Sequence, residues 1–338
     1  MSCDVEIKKL DMVNAFIKTL PYKLTDGDDS QESTVFSILE NMRKGIRTNS
    51  LVQGDVGCGK TMVAILLMIG LVENGYQAAM MAPTTVLAKQ HYEEIVKLLT
   101  PFGIKVAFLG GKMKAKEKRI MLEAIKTGDA NIVVGTHSVI SKDVEFKNLG
   151  LAIVDEEHRF GVVQRRSLEK KAEEGIHMVT MSATPIPRSL AMTIYGDFVD
   201  VYTIRKMPAG RKKIITKVEE DVTKAYDFMA EQIKDGRQCY VVCPLIEETE
   251  SERMEGVKST EETYVEMCDY FSSDPSIRIC HINGKMKQDE INEHLSAFAR
   301  HEYDIIISTT IIEVGVNVPN STVILVKNAE RFGLATLH

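Results

Sequence analysis

The sequence predicts an α/β protein of two tandem domains with parallel sheets, the second domain a divergent copy of the first. Three observations lead there. Short apolar runs rich in Val, Ile and Ala alternate with longer segments of helical period, the pattern of parallel strands covered on both faces. A glycine-rich turn, GDVGCGKT at 54–61, follows one such strand and opens a helix. The chain also matches itself: LGGKMKAKEKR (109–119) aligns with INGKMKQDEIN (282–292), and NIVVGTH (131–137) with DIIISTT (304–310), both 173 residues apart. HRFGV (158–162) aligns with ERFGL (330–334) at 172. Matches kept in order over more than fifty residues point to a duplicated fold.

In chain order, strands are expected at SLVQGD, AAMMAPT, VAFLGG, NIVVGTH, LAIVDEE and HMVTMSAT. They resume as IITKVEE, QCYVVCPL, IRICHING, DIIISTT and TVILVKN. Residues 1–19 read as a helical lead-in or linker and 20–205 as the first domain. The Pro-, Gly- and Lys/Arg-containing stretch IRKMPAGRKK (204–213) connects to a second domain over 206–338.

A length of 338 residues suits two domains, and 44% hydrophobic with 27% charged residues is globular composition. The N-terminus lacks a signal-peptide core, and no apolar run is long enough to cross a bilayer, so the expectation is a cytoplasmic protein with no membrane partner. The six cysteines show no zinc-like spacing, and Cys239 and Cys243, on an apolar strand, are expected to be buried thiols. The net charge of −6 argues weakly against nucleic acid, but residues 1–205 carry 26 Lys+Arg against 25 Asp+Glu, and 206–338 carry 16 against 23. A local basic groove is compatible with that balance.

Gly54-Asp55-Val56-Gly57-Cys58-Gly59-Lys60-Thr61 satisfies the phosphate-loop pattern in its strand–helix context. Glycines let backbone N–H groups turn toward phosphate oxygens, and the helix N-terminus adds partial positive charge. Lys60 is expected to reach the terminal phosphates of ATP and Thr61 to ligate Mg2+. Cys58 reads as a small loop residue, at a helix N-terminus where a thiol pKa can fall. Asp155 ends the apolar strand LAIV, at the sheet edge where such folds bind ligands. It is the second candidate metal ligand, with Glu156 placed to orient and deprotonate water. The second copy has no glycine-rich loop and reads KNAE where the first reads DEEH, so one nucleotide site is expected.

With DEEH, MSATPIPRS and STTIIEVGVNVP assembled, the sequence resembles the superfamily 2 helicases, and within them the RecG family of ATP-dependent DNA helicases. The resemblance runs from LPYKLT (20–25) to the last residue, through GDVGCGKT, APTTVLAKQH, GTHSVI, DEEHRFGVVQRRSL, SATPIPRSLAMTIYGD, CPLIEE, NGKMK and TTIIEVGVNVPN. The transcription-repair coupling translocase Mfd shares DEEHRFGV, but VQRRSL, MTIYGD, MPAGRKK and CPLIEE look more like RecG.

The resemblance implies two tandem RecA-like domains that use ATP and Mg2+ to drive branch migration of stalled replication forks and Holliday junctions. It places Tyr22 on adenine and Gln31 on the adenine edge, although Asp-Gly-Asp-Asp-Ser (26–30) lengthens the usual spacing. It assigns Ser182, Ala183 and Thr184 to coupling, with His158 relaying to the metal site. It assigns Pro83, Thr84, Gly110, Gly111, Gly135, Thr136 and His137 to the DNA backbone on the first lobe, and Thr309 and Thr310 on the second. Such contacts hold a strand without reading its sequence. Gly315 and Asn317 belong to the ATP site, Asn317 standing where the family has aspartate. The basic run Lys112, Lys114, Lys116, Lys118 and Arg119 suits either DNA or a solvated helix face.

The family continues past its GLAxLH stretch with an arginine-rich QLRGRVGR run that supplies an arginine finger, worth about 10³–10⁵ in rate. This sequence stops at GLATLH and opens after the position of the family's N-terminal wedge domain. The expectation is a second domain incomplete at its C-terminus, binding ATP and DNA with poor turnover. A single-strand-binding protein is a partner by resemblance alone. The competing readings are an ATP-switched DNA-binding module without hydrolysis and a truncated chain prone to aggregate.

Overall fold

A computed structural model describes residues 5–110, 113–155, 175–183, 191–192, 199–208, 214–244, 250–309 and 318–332. The chain divides into two units, Met1–Lys213 and Ile214–His338. Both are α/β, with every strand pairing parallel.

The first unit is a seven-stranded sheet in the order β3-β4-β2-β5-β6-β1-β7. Its strands are β1 (Asn49–Gly54), β2 (Gln77–Met81), β3 (Val106–Leu109), β4 (Ile132–Gly135), β5 (Leu149–Val154), β6 (His177–Ser182) and β7 (Asp200–Ile204). The helices are α1 (Asp11–Thr19), α2 (Gln31–Arg43), α3 (Lys60–Glu73), α4 (Thr85–Leu99) and α5 (Ala115–Thr127). α3, KTMVAILLMIGLVE, is apolar all round and buries ten consecutive residues from Met62 to Leu71. A helix of that kind needs cover beyond the sheet, and α1 and α2 provide it. The lead-in thus packs into the first core, where Val13 and Phe16 of α1 are fully buried. Each such side chain contributes about 1.5–3 kcal/mol.

The second unit has four strands in the order β11-β8-β10-β9. They are β8 (Gln238–Cys243), β9 (Ile279–His281), β10 (Ile305–Thr309) and β11 (Ser321–Val326), with α6 (Val222–Lys234), α7 (Glu250–Tyr270) and α8 (Gln288–Ala299). Read from its other edge, β9-β10-β8-β11 repeats the first unit's β3-β4-β2-β5.

The repeat extends to single hydrogen bonds. Gln77 opens β2, and its Nε2 donates to Ile125 O (2.9 Å) and Ala130 O (2.8 Å). Gln238 opens β8, and its Nε2 donates to Phe298 O (2.7 Å) and Tyr303 O (2.8 Å), both 173 residues further on. Lys105 N donates to Asn131 Oδ1 at 2.9 Å, and Arg278 N to Asp304 Oδ2 at 2.8 Å, again at 173. Two copies of one fold are therefore present in the local bonding as well as in the strand order.

Two expectations need correction. IITKVEE is not a strand: residues 214–219 have no regular structure, and Ile214, Ile215 and Val218 are 73%, 90% and 90% exposed. In the first unit the strand preceding the corresponding helix, β1, is held between β6 and β7. No counterpart of either lies among the described residues of the second unit, so a β-branched run there has no strand to pair with among them. Conversely, β7 (DVYTI) is a strand that hydropathy did not single out, because three of its residues are only half-buried at the sheet edge.

Cys239 and Cys243 are buried free thiols as expected, and Cys280 is another, with burial pushing Cys239 and Cys280 up to about 12.

Candidate active site

All strands of the first sheet run parallel, so their C-terminal ends share one edge. β1 ends at Gly54, two strands from β5, with β6 between them; at about 4.8 Å per strand this is roughly 10 Å of sheet. Gln53 pairs in register with Ser182, and Gly54 with Ile204. The phosphate loop, Asp155 and Ser182 therefore sit along one edge, with Ser182 buried between the other two.

The loop is shaped by its glycines. A Cβ on Gly54 would lie 2.6 Å from Ile204 O, which is backbone and cannot yield. Gly59 caps α3 at φ +90°, and a Cβ there would lie 2.0 Å from Gln31 Nε2. Lys60 and Thr61 open α3 behind it. The Lys60 ammonium donates to Gly54 O (2.5 Å) and Asp55 O (3.1 Å), across the mouth of the loop. Cys58 is buried beneath it, and burial, with Asp55 adding, raises its thiol pKa despite Lys60. The helix N-terminus does not activate this cysteine.

Gln31 lies at the start of α2, 1% exposed rather than on the surface. Its Oε1 accepts from Thr25 N (3.0 Å) and its Nε2 donates to Gly59 O (3.2 Å). The amide thus ties the segment after Tyr22 to the phosphate loop. The preceding Asp-Gly-Asp-Asp-Ser ends in a capping box between Ser30 and Ser33, which absorbs the longer spacing. Tyr22 is 43% exposed and lines a cavity of about 570 Å³ with Ile17, Leu20, Leu24 and Glu32.

Asp155 is 7% exposed just past β5, its backbone N–H donating to Met81 O at 2.9 Å. His91 of α4 lies against it, Nε2 to Oδ2 at 2.7 Å. Sequence reasoning passed over this histidine. The available signal was its place on the otherwise apolar stripe Ala88, His91, Ile95, Leu99.

The DNA-backbone candidates gather on neighbouring strand ends. Pro83 and Thr84 follow β2, and Thr84 caps α4, its Oγ1 accepting from Leu87 N at 3.2 Å. That hydroxyl still has its own proton to donate. Gly110 follows β3; Gly135 closes β4, where a Cβ would lie 2.3 Å from Leu109 O. Thr136 is half-buried and His137 exposed beside it. In the second unit Thr309 ends β10 at 1% exposure, its Oγ1 without a partner among the described residues. Lys114 and Lys116 are exposed, while Lys118 pairs with Asp143 at 2.6 Å. Gly111, Lys112, Glu156, His158, Thr184, Thr310, Gly315 and Asn317 lie outside the described residues.

The donor set fits a magnesium nucleotide: a left-handed glycine cradle, an ammonium and a hydroxyl at a helix N-terminus, and a buried carboxylate on the same edge. Fold and site together define a P-loop nucleotide-binding protein built on parallel sheets. A DEAD/DEAH box helicase model matches residues 28–193 and a helicase conserved C-terminal domain model residues 220–333. The chain is 44% identical over 333 residues to the ATP-dependent DNA helicase RecG of Staphylococcus aureus, covering 97% of this chain and 47% of that protein. It is 43% identical to the same helicase of Aquifex aeolicus, covering 95% and 40%. A solved structure of RecG bound to a three-way DNA junction superposes with a TM-score of 0.82 at 38% identity, over 99% of this chain and 43% of that one. The chain belongs to the RecG family and spans about half the length of the curated relatives it matches.

Proposed function

We propose that this chain is the motor core of a RecG-type ATP-dependent DNA helicase, using ATP hydrolysis to drive translocation on branched DNA such as stalled forks and Holliday junctions. The observation carrying this reading is the convergence of Lys60, Thr61 and Asp155 on one sheet edge, beside the strand ends bearing Pro83, Thr84 and Gly135. Lys60 would turn its ammonium from Gly54 O to the terminal phosphates, and the loop N–H groups would hold the rest of the chain of phosphates. Thr61 and Asp155 would hold Mg2+, which supplies charge neutralisation when bound. Glu156 would orient and deprotonate the attacking water. Tyr22 would stack on the adenine, and Ser182 with Ala183 and Thr184 would pass the change in the site to the DNA contacts.

The relatives named above support a DNA substrate of branched form. A single-strand-binding protein as partner and a cytoplasmic setting rest on the resemblance. No helix among the described residues is long and apolar enough to cross a membrane. The test is binding of a fluorescent ATP analogue with Mg2+ to the 338-residue chain, beside Lys60→Ala, followed by competition between forked and linear duplex DNA. Lys60-dependent nucleotide binding with preference for the fork is expected. Nucleotide binding unchanged in Lys60→Ala would sink the reading.

A further inference from the structure

Asp155 is deeply placed for a group expected to hold a cation, with its side chain 11% exposed and that of His91 7% exposed. A carboxylate so enclosed needs a donor. An ionised carboxylate has only acceptor atoms, so Nε2 of His91 carries the proton between them. The hydrogen bond at 2.7 Å engages Oδ2. Oδ1 takes no hydrogen bond among the described residues and remains the atom available to a metal. The histidine itself cannot drift, because α4 is anchored on the sheet through Ala88, Ile95 and Leu99, all fully buried.

We propose that His91 is a positioning residue of the hydrolytic site. By holding Oδ2 it fixes the Asp155 carboxylate in one orientation, so that Oδ1 is presented to Mg2+ before the nucleotide arrives. The inference rests on the reading of Asp155 as a metal ligand given above. A histidine that merely fills the core would also bond the nearest acceptor, but its loss would then act on stability and leave the metal affinity of the folded chain untouched.

The test uses the 338-residue chain and three variants. His91→Ala removes the donor. His91→Asn keeps an amide on an arm too short to reach Asp155, and His91→Gln places its amide near the position of Nε2. Mn2+ binding in the presence of ADP is followed by electron paramagnetic resonance. ADP binding in EDTA and the melting temperature are measured alongside. His91→Ala and His91→Asn are expected to weaken Mn2+ binding by about 10–100-fold, the usual effect of losing a partner behind a metal ligand. ADP binding in EDTA should stay parental, and His91→Gln should restore Mn2+ affinity. If His91→Ala fails to fold, the Asn and Gln pair decides. Parental Mn2+ affinity in His91→Asn, or equal losses in Asn and Gln, would overturn this inference alone. A parent chain that binds no Mn2+ with ADP would overturn it together with the assignment of the nucleotide site.

Discussion

Gly59 and Gln31 form a contact whose energetics can be worked out from the geometry. A Cβ on Gly59 would sit 2.0 Å from Gln31 Nε2, and the amide cannot simply swing aside because Thr25 N and Gly59 O both hold it. Gly59→Ala therefore carries two costs. A left-handed backbone on alanine costs about 1–2 kcal/mol. Displacing the amide leaves the half-buried Thr25 N without its acceptor, at about 1–3 kcal/mol, while Gly59 O keeps Met62 N and Val63 N as donors. Gln31→Ala alone incurs the second cost without the first. In the double variant the second cost counts once, so it should be less destabilised than the sum of the singles by about 1–3 kcal/mol. Hydrogen exchange of the β1 and β6 amides reports the first unit by itself, and the coupling corresponds to about five-fold to over a hundred-fold in exchange rate. Additivity to within about 0.5 kcal/mol would refute the reasoning, because residues that do not meet behave that way.

His177 is fully buried, Nδ1 accepting from Thr48 N (3.2 Å) and Nε2 donating to Val5 O (2.8 Å). Burial first, and the Arg47 guanidinium second, hold its pKa below the ordinary 6.5. Below 6.5 the unfolded chain takes up a proton that the folded chain refuses. Stability is therefore full above that value and falls as pH drops from it toward the folded pKa. Urea unfolding at stepped pH checks this, and an identical acid slope in His177→Gln would contradict it. Gln77→Ala strands Ala130 O and Gln238→Ala strands Tyr303 O, while Ile125 O and Phe298 O keep Gly128 N and His301 N as donors, so each should destabilise its own unit by about 1–3 kcal/mol. Exchange of β2 and β4 amides for the first, and of β8 and β10 amides for the second, reads this, and a loss in only one unit would show that the repeat is not energetic.

What could be read from the sequence was whatever local chemistry dictates. The phosphate loop is legible because a left-handed cap and backbone contacts of 2.6 Å admit only glycine at Gly59 and Gly54. The central strands are legible because both their faces are covered and their side chains are apolar, throughout β4 and β5 and after the opening Gln77 in β2. Residues whose state depends on a distant partner were not legible. IITKVEE has the composition of a strand, yet strand formation needs a neighbour. DVYTI has one, β1, and pairs with it despite its mixed composition. His91 and Asp155 are 64 residues apart and meet only because α4 crosses toward the end of β5. Gln31 was legible as a residue of the nucleotide site by resemblance, but its grip on Gly59 O required the fold.

The two copies also show which part of the duplicated unit carries chemistry. Asp155 N donates to Met81 O at 2.9 Å, and Lys327 N, 172 residues on, donates to Val242 O at 2.9 Å. The backbone is the same at both places. The side chains are opposite in charge: Asp155 rests on a histidine donor, whereas Lys327 donates to Glu266 Oε2 at 2.6 Å and lies 3.4 Å from the Tyr226 hydroxyl. An ammonium in that position repels a cation where a carboxylate would attract one, and its partner Glu266 is already neutralised. The strand that precedes α3 leads into the glycine loop, whereas the run that precedes α6 has no glycine among residues 214–221. Loss of the cradle and reversal of charge at the strand end remove both halves of a phosphate–metal site. The sheet order and the Gln77/Gln238 bonds persist because they serve the fold. A scaffold retained while the cradle and the strand-end carboxylate are lost leaves the phosphate–metal chemistry, among the described residues, to the first unit, the one proposed above to hold the phosphates of ATP.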